Sequence, residues 1–133
     1  MVVDPRPGRA ASVSYRLTRQ QVVDAVLDGR RDRAEVCDAQ PELRRVATHH
    51  ASPLSEPCPI CGSDDLGVVT FAFGPGLPNG GRCVTDIREM QRLRRRGRPT
   101  RGYRVEVCAA CWWNHLRETF PISEGSRGRR LLG

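Results

Sequence analysis

The chain has 133 residues, of which only 38% are hydrophobic and 5% aromatic, so it is bounded to one small domain, or one with an appendage, and a thin core. Its formal charge is +7, all 22 basic residues are arginine, and six cysteines are available to supplement that core. No apolar run reaches signal-peptide or membrane-spanning length, the longest being near residues 68–73, which points to a cytoplasmic protein with no membrane partner. In a reducing compartment, paired cysteines hold metal more readily than they form disulfides.

In chain order, residues 1–14 are rich in proline, glycine and scattered charge and read as a disordered start. Thr18 and Gln21 match a capping box, Val22, Val23, Val26 and Leu27 share a helical face, and Gly29 suits a left-handed stop. A second helix is predicted from Pro41 to His50, with Leu43, Val46, Ala47 and His50 at helical spacing. The connector from Gly29 to Gln40 is far longer than the ~3–4-residue turn of a DNA-reading helix-turn-helix. A helical hairpin packing on itself or on the following unit is the better reading of residues 15–56, and residues 51–57 at the boundary are a proline-marked linker.

Residues 68–73 (VVTFAF) read as a strand that ends in the turn-forming GPGLPNGG. A short helix is predicted over 86–96, capped by Thr85 or Asp86, with Ile87, Met90 and Leu93 on its apolar stripe. Tyr103, Val105 and Val107 alternate along a strand that leads to Cys108. Residues 113–120 suggest a last helical turn, and 121–133 a flexible basic tail.

Cys58-x-x-Cys61 and Cys108-x-x-Cys111 are two metal-knuckle pairs separated by 46 residues. Two intervening residues let a tight turn aim both sulfurs at one ion, and Gly62 fits the positive φ that such a turn uses. Four thiolates close a tetrahedral Zn2+ site and leave no position for activated water, so the metal is expected to be structural. A redox pair would need only one such motif. A zinc deaminase would need a His-x-Glu that His49 and His50, followed by Ala51 and Ser52, do not supply. No catalytic constellation is visible, and neither an enzyme nor a small-molecule substrate is expected. Spacing gives no ligand role to Cys37 or Cys83, and His115 is a weak substitute ligand.

The charge is concentrated. Residues 82–104 carry nine arginines against Asp86 and Glu89, a net of +7. Arg88, Arg92, Arg95 and Arg96 share a helix face, and Arg98, Arg101 and Arg104 follow. Guanidinium forks match phosphate geometry, which makes nucleic acid a candidate partner. An acidic protein surface and a plain solvated face are the alternatives. Of the adjacent tryptophans one is expected in the core beneath the metal, and Trp113 is assigned to the contact surface.

The capped first helix, Cys37-Asp-Ala-Gln-Pro41, Pro57-Cys-Pro-Ile-Cys61 and Val105-Glu-Val-Cys-Ala-Ala-Cys-Trp-Trp-Asn-His-Leu116 together resemble a family of small uncharacterised actinobacterial zinc-ribbon-like proteins over residues 15–120. The resemblance implies an actinobacterial cytosolic origin and no established activity, and carries over only the four paired cysteines as a site.

These observations converge on an α+β chain, with a helical hairpin followed, over 57–120, by a zinc-ribbon-like antiparallel unit bearing a basic helical insertion. The expected function is a non-enzymatic accessory factor that docks on nucleic acid or on an RNA polymerase or ribosome assembly. The alternative is a protein–protein adaptor using the N-terminal helices and an exposed tryptophan.

Overall fold

A computed structural model describes residues 12–125 of the chain. The described elements run β1 (Val13–Ser14), α1 (Arg16–Leu27), α2 (Pro41–His50), β2 (Ser52–Pro53), β3 (Leu66–Phe73), β4 (Arg82–Val84), α3 (Ile87–Arg95), β5 (Pro99–Cys108) and β6 (Asn114–Glu124). The strands form one antiparallel sheet in the order β1-β6-β5-β3-β2, with β4 also paired to β3. Ser52 lies opposite Val68, and Phe71 opposite Cys83. Most of the predicted disordered start and most of the basic tail lie outside the described residues. No described helix is long and apolar enough to cross a membrane.

The chain divides into two compact units. One comprises Ser14–Val69 and Arg104–Arg117; the other is built on Thr70–Tyr103 and the part of β6 from Glu118 onward.

In the first unit, α1 starts from Tyr15, whose N–H donates to the Arg117 carbonyl at 2.9 Å. No side chain caps the helix, and Thr18 lies inside it, so the predicted capping box is not used. Backbone pairing with β6 fixes the helix start instead. The end follows the sequence signal: Gly29 has φ +78, Arg30 N–H reaches Ala25 O, and Gly29 N–H reaches Val26 O, a Schellman closure. Val23 is buried in a core with Val36, Cys58, Leu66, Cys108 and Trp113, so α1 lays its apolar stripe on the cysteine-bearing part of the unit. Leu27, expected on that stripe, is 67% exposed. α2 has the predicted bounds, with Pro41 in its first turn and Val46 and Ala47 buried, while His50 faces solvent.

The last predicted helical turn, at 113–120, is a correction. The chain there forms β6, beside β5 in the sheet, and Cys108 N–H donates to Trp113 O at 2.9 Å where the connecting turn closes. Pairing along a long neighbouring strand outweighs the weak local helical preference of WNHLRETF.

Glu106 on β5 organises this unit. Its carboxylate is fully buried and receives Arg19 Nε at 2.6 Å and Nη2 at 3.0 Å, Trp113 Nε1 at 2.6 Å and Arg117 Nη1 at 3.3 Å. The acid thereby ties α1 to the sheet and satisfies the indole of the largest buried side chain.

In the second unit, α3 begins with a reciprocal cap. Asp86 accepts from Glu89 N–H at 2.9 Å, and Glu89 accepts from Thr85 N–H at 3.2 Å. Leu93 packs with Ala72 and Ile122, and Met90 lies against them. Ile87, predicted on that stripe, is 65% exposed, while Glu89 is buried. Ile87 is the first helical residue, and the capping bonds turn Glu89 inward in its place. Gly102 lies under the Phe120 ring, where an added Cβ would fall 2.4 Å from Cζ.

Glu106→Ala is expected to lower unfolding free energy by about 3 kcal/mol, because it leaves a mostly buried guanidinium and an indole N–H without their acceptor. Arg117→Ala, which removes a more exposed partner, should cost under about 1 kcal/mol. Urea unfolding of the two variants measures the difference, and equal losses would contradict the buried role given to Glu106.

Candidate metal centre and basic segment

Both cysteine pairs lie in the first unit, in turns of the same design. Cys58 N–H donates to Ser63 O and Gly62 N–H to Cys58 O, each at 2.9 Å. The chain thus folds around the Cys58 sulfur, which accepts from Ile60 N–H at 3.4 Å and Cys61 N–H at 3.5 Å. In the second turn Trp112 N–H donates to Cys108 O at 2.8 Å, and Ala110 N–H approaches the Cys108 sulfur at 3.4 Å. Four residues after the first cysteine of each pair the backbone is left-handed: φ is +78 at Gly62 and +68 at Trp112.

At Gly62 that geometry is free of Cβ strain. At Trp112 it costs on the order of 1–2 kcal/mol. The surroundings hold it there: the Trp112 carbonyl accepts from Ala39 N–H and from Asn114 Nδ2, each at 3.2 Å, and the Arg44 guanidinium lies 5.3 Å from the ring centre. Asn114 is fixed in turn by Asp38 at 3.0 Å. Ala109 N–H donates to Asp65 O at 3.0 Å, joining the two turns directly.

The result is that Cys58, Cys61, Cys108 and Cys111 place all four sulfurs within 4.8 Å of one another, an arrangement that can hold a metal ion. The Cys58–Cys111 and Cys61–Cys108 sulfur separations are 3.8 and 3.7 Å. Burial pushes the Cys58 thiol up, and it pushes Cys111 up strongly, with Cys37 and the neighbouring sulfurs adding to the effect. Desolvation acts the same way on Cys61, but hydrogen bonds from Ser63, Cys108 and Cys111 outweigh it and bring that thiol to about 6. Crowded sulfurs of this kind resist sharing negative charge unless a cation compensates them.

Three neighbours of the cluster carry no motif. Cys37 donates to the Cys111 sulfur at 3.6 Å, delivered by the loop between α1 and α2. Ser63 lies 3.4 Å from the Cys108 sulfur, and Trp113 packs beneath with its ring fully buried. Only the fold brings Cys37 within reach, since 73 residues separate it from Cys111. His115 stands apart from the cluster: Nδ1 bonds Leu116 O at 2.8 Å and the ring stacks on Trp113. Cys83 lies on β4, half-buried, with its thiol pushed up by burial and by the Glu89 charge.

Trp113 requires a correction. Fully buried and bonded to Glu106, it offers no contact surface; Trp112 is the partly exposed member of the pair. The sequence shows two equivalent neighbours, and the hairpin register decides which one turns inward.

Among the arginines, Arg88, Arg92 and Arg95 are exposed on α3, and Arg98 is exposed just beyond it. Arg96 is held by Pro75 O and Thr100 Oγ1, each at 2.9 Å. Arg101 on β5 donates to Thr119 at 2.9 Å, and Arg104 on the same strand is half-buried and belongs to the other unit. The α3 residues and Arg98 thus keep the exposure that an anionic partner needs, while Arg96 and Arg101 also serve the fold.

Three mycobacterial proteins of uncharacterised function, Mb0050 from Mycobacterium bovis and Rv0049 and MT0055 from Mycobacterium tuberculosis, are each 33% identical to the chain over 121 residues, covering 91% of it and 88% of their own length. Their source agrees with the actinobacterial side of the resemblance. No solved structure matches the chain. A family model matches residues 7–130, almost the whole chain, and places it in DUF5318, a family of unknown function.

Proposed function

We propose that the four cysteines bind one structural zinc ion in a zinc-ribbon-like arrangement, and that the protein is a non-enzymatic, cytoplasmic accessory factor. Its arginine-rich segment contacts nucleic acid, or a nucleic-acid-containing machine such as RNA polymerase or the ribosome.

The sulfur spacing carries the zinc reading. Sulfurs about 2.3 Å from one ion at tetrahedral angles stand about 3.8 Å apart. Two of the six separations, 3.7 and 3.8 Å, fall on that tetrahedral edge, and all six lie within 4.8 Å. An all-sulfur donor set also favours zinc over magnesium or calcium, which prefer oxygen. Once bound, the ion would be closed off by four thiolates, with N–H and O–H groups already turned toward the sulfurs to disperse their charge.

The nucleic-acid reading rests on the +7 concentrated in residues 82–104 and on the exposure of Arg88, Arg92, Arg95 and Arg98. The adaptor reading keeps one observation of its own. Leu17 and Leu27, at opposite ends of α1, are 79% and 67% exposed and would serve a protein partner.

Metal analysis of the purified protein should find one zinc per chain. Cys58→Ser or Cys108→Ser should abolish it, whereas Cys37→Ser and Cys83→Ser should leave the stoichiometry intact. Chelation should unfold the first unit, because zinc binding in such sites is worth about 10–16 kcal/mol, comparable with a small domain's entire stability. A metal-free protein with unchanged unfolding would overturn the assignment.

Gel-shift titration of a single-stranded RNA against salt should show affinity falling steeply with ionic strength. Neutralising Arg88 together with Arg98 should flatten the slope by about two phosphate contacts. Affinity indifferent to salt would favour the adaptor, and loss of a captured protein in Leu17→Asp with Leu27→Asp would confirm it.

A further inference from the structure

The second unit contains a cavity of about 510 Å³ between α3 and the loop that follows β3, lined by Gly76, Leu77, Arg82, Glu89, Arg92, Leu93, Arg95 and Arg96. The geometry points to a nucleotide-binding pocket, in which guanidinium groups take a phosphate and Leu77 and Leu93 form an apolar wall against the sugar or base. This rests on the nucleic-acid reading above and assigns one pocket as the place where a nucleotide unit is seated.

Charge comes first. Four guanidiniums and one carboxylate line the cavity, a net of +3. Glu89 does not neutralise its centre, because it is already engaged: Arg82 Nε lies 2.6 Å from its Oε2, and Thr85 N–H and Asp86 tie it into the helix cap. Burial works to raise the Glu89 carboxyl, yet the bonds from Arg82 and Thr85 and the charges of Arg82 and Arg92 hold it below the ordinary range, so it stays ionised near neutrality. No carboxylate among the described residues pairs with Arg92 or Arg95. The negative end of the α3 dipole opposes an anion here, but only as a partial charge against four full guanidinium charges that can each form charge-assisted hydrogen bonds.

Preorganisation comes second. Arg96 is clamped by Pro75 O and Thr100 Oγ1, while its buried Nε has no acceptor. Gly76, at φ +82, brings backbone against this wall, and a Cβ there would sit 3.1 Å from Arg96 Nη1 and 2.9 Å from Arg98 Nη1. This wall is therefore braced and positively charged, and the exposed Arg92 and Arg95 complete the lining.

Size selects the ligand class. The cavity falls within the range of about 300–1,000 Å³ typical of small-molecule sites and exceeds what a lone phosphate would fill. Buried Leu93 and half-buried Leu77 then have a role that inorganic phosphate cannot use. A planar guanidinium also offers both bidentate phosphate contacts and stacking.

Calorimetric titration of the full, metal-loaded chain tests this with four probes: inorganic phosphate, a 5′-mononucleotide, the corresponding nucleoside, and a short single-stranded RNA. The mononucleotide should bind about tenfold or more tightly than phosphate, the nucleoside should not bind measurably, and RNA should compete with the mononucleotide. Arg92→Ala with Arg95→Ala should weaken mononucleotide and RNA about tenfold or more while circular dichroism and metal content stay unchanged, and Arg92→Lys should recover only part. RNA binding that is indifferent to the double change, with no mononucleotide binding, would overturn the pocket and leave the wider nucleic-acid reading standing. Mononucleotide binding lost in the double variant, with no RNA binding at all, would support the pocket and overturn the wider reading. Silence toward every probe would end both.

Discussion

The structure depends on four sulfurs being brought to one point. Two ionised thiolates about 4 Å apart repel by roughly 4 kcal/mol at the effective dielectric of a protein surface, and in this cluster every sulfur lies within 4.8 Å of the other three. The arrangement limits its negative charge either by retaining protons on the crowded thiols, Cys61 being the one brought low, or by holding a cation at its centre. The up-shifted Cys58 and Cys111 thiols express the first alternative, and metal ligation would replace it by the second. For a chain with so few aromatic residues, that choice decides whether its first unit has an adequate core. Cys58 and Cys108 are themselves core residues, packed with Val23, Leu66 and Trp113.

Convergence across 46 residues demands that β5 and β6 turn at a fixed register. The Glu106 network is suited to that demand. Glu106 lies two residues before Cys108, Trp113 two residues after Cys111, and the 2.6 Å bond between them spans the knuckle. Arg19 compensates the buried charge from α1. The left-handed Trp112 belongs to the same mechanism, because its backbone turns the chain back toward Trp113 and its carbonyl anchors Ala39. A local conformational cost at Trp112 is tolerated because pairing, capping and burial on all sides determine the turn.

This explains which parts were legible in the sequence. Local signals survived where the backbone obeys local chemistry: Pro41 opens α2, Gly29 closes α1, Asp86 caps α3, and the two Cys-x-x-Cys pairs with Gly62 announced the four-cysteine cluster. They failed where a distant partner decides. The start of α1 is set by Arg117, which no capping pattern near Thr18 reveals. β6 exists because β5 offers a ladder, while its own sequence has mixed character. Trp112 and Trp113 are indistinguishable until register assigns one to Glu106 and the other to Arg44. Cys37 had no spacing signal at all, yet reaches the Cys111 sulfur.

The arginines show the same limit from the other side. Composition located the excess charge within 82–104 but treated its members as equivalent, although the fold gives them unequal tasks. Arg82 neutralises Glu89, Arg96 braces the loop after β3, and Arg101 secures β6 through Thr119. These three spend much of their donor capacity on the protein itself. Arg92 and Arg95 keep theirs, and both line a cavity with leucine in its wall. Neither has a carboxylate partner among the described residues, and both flank the apolar stripe of α3 that Leu93 buries. That juxtaposition of free cationic donors with leucine is the feature on which the proposed anion pocket stands.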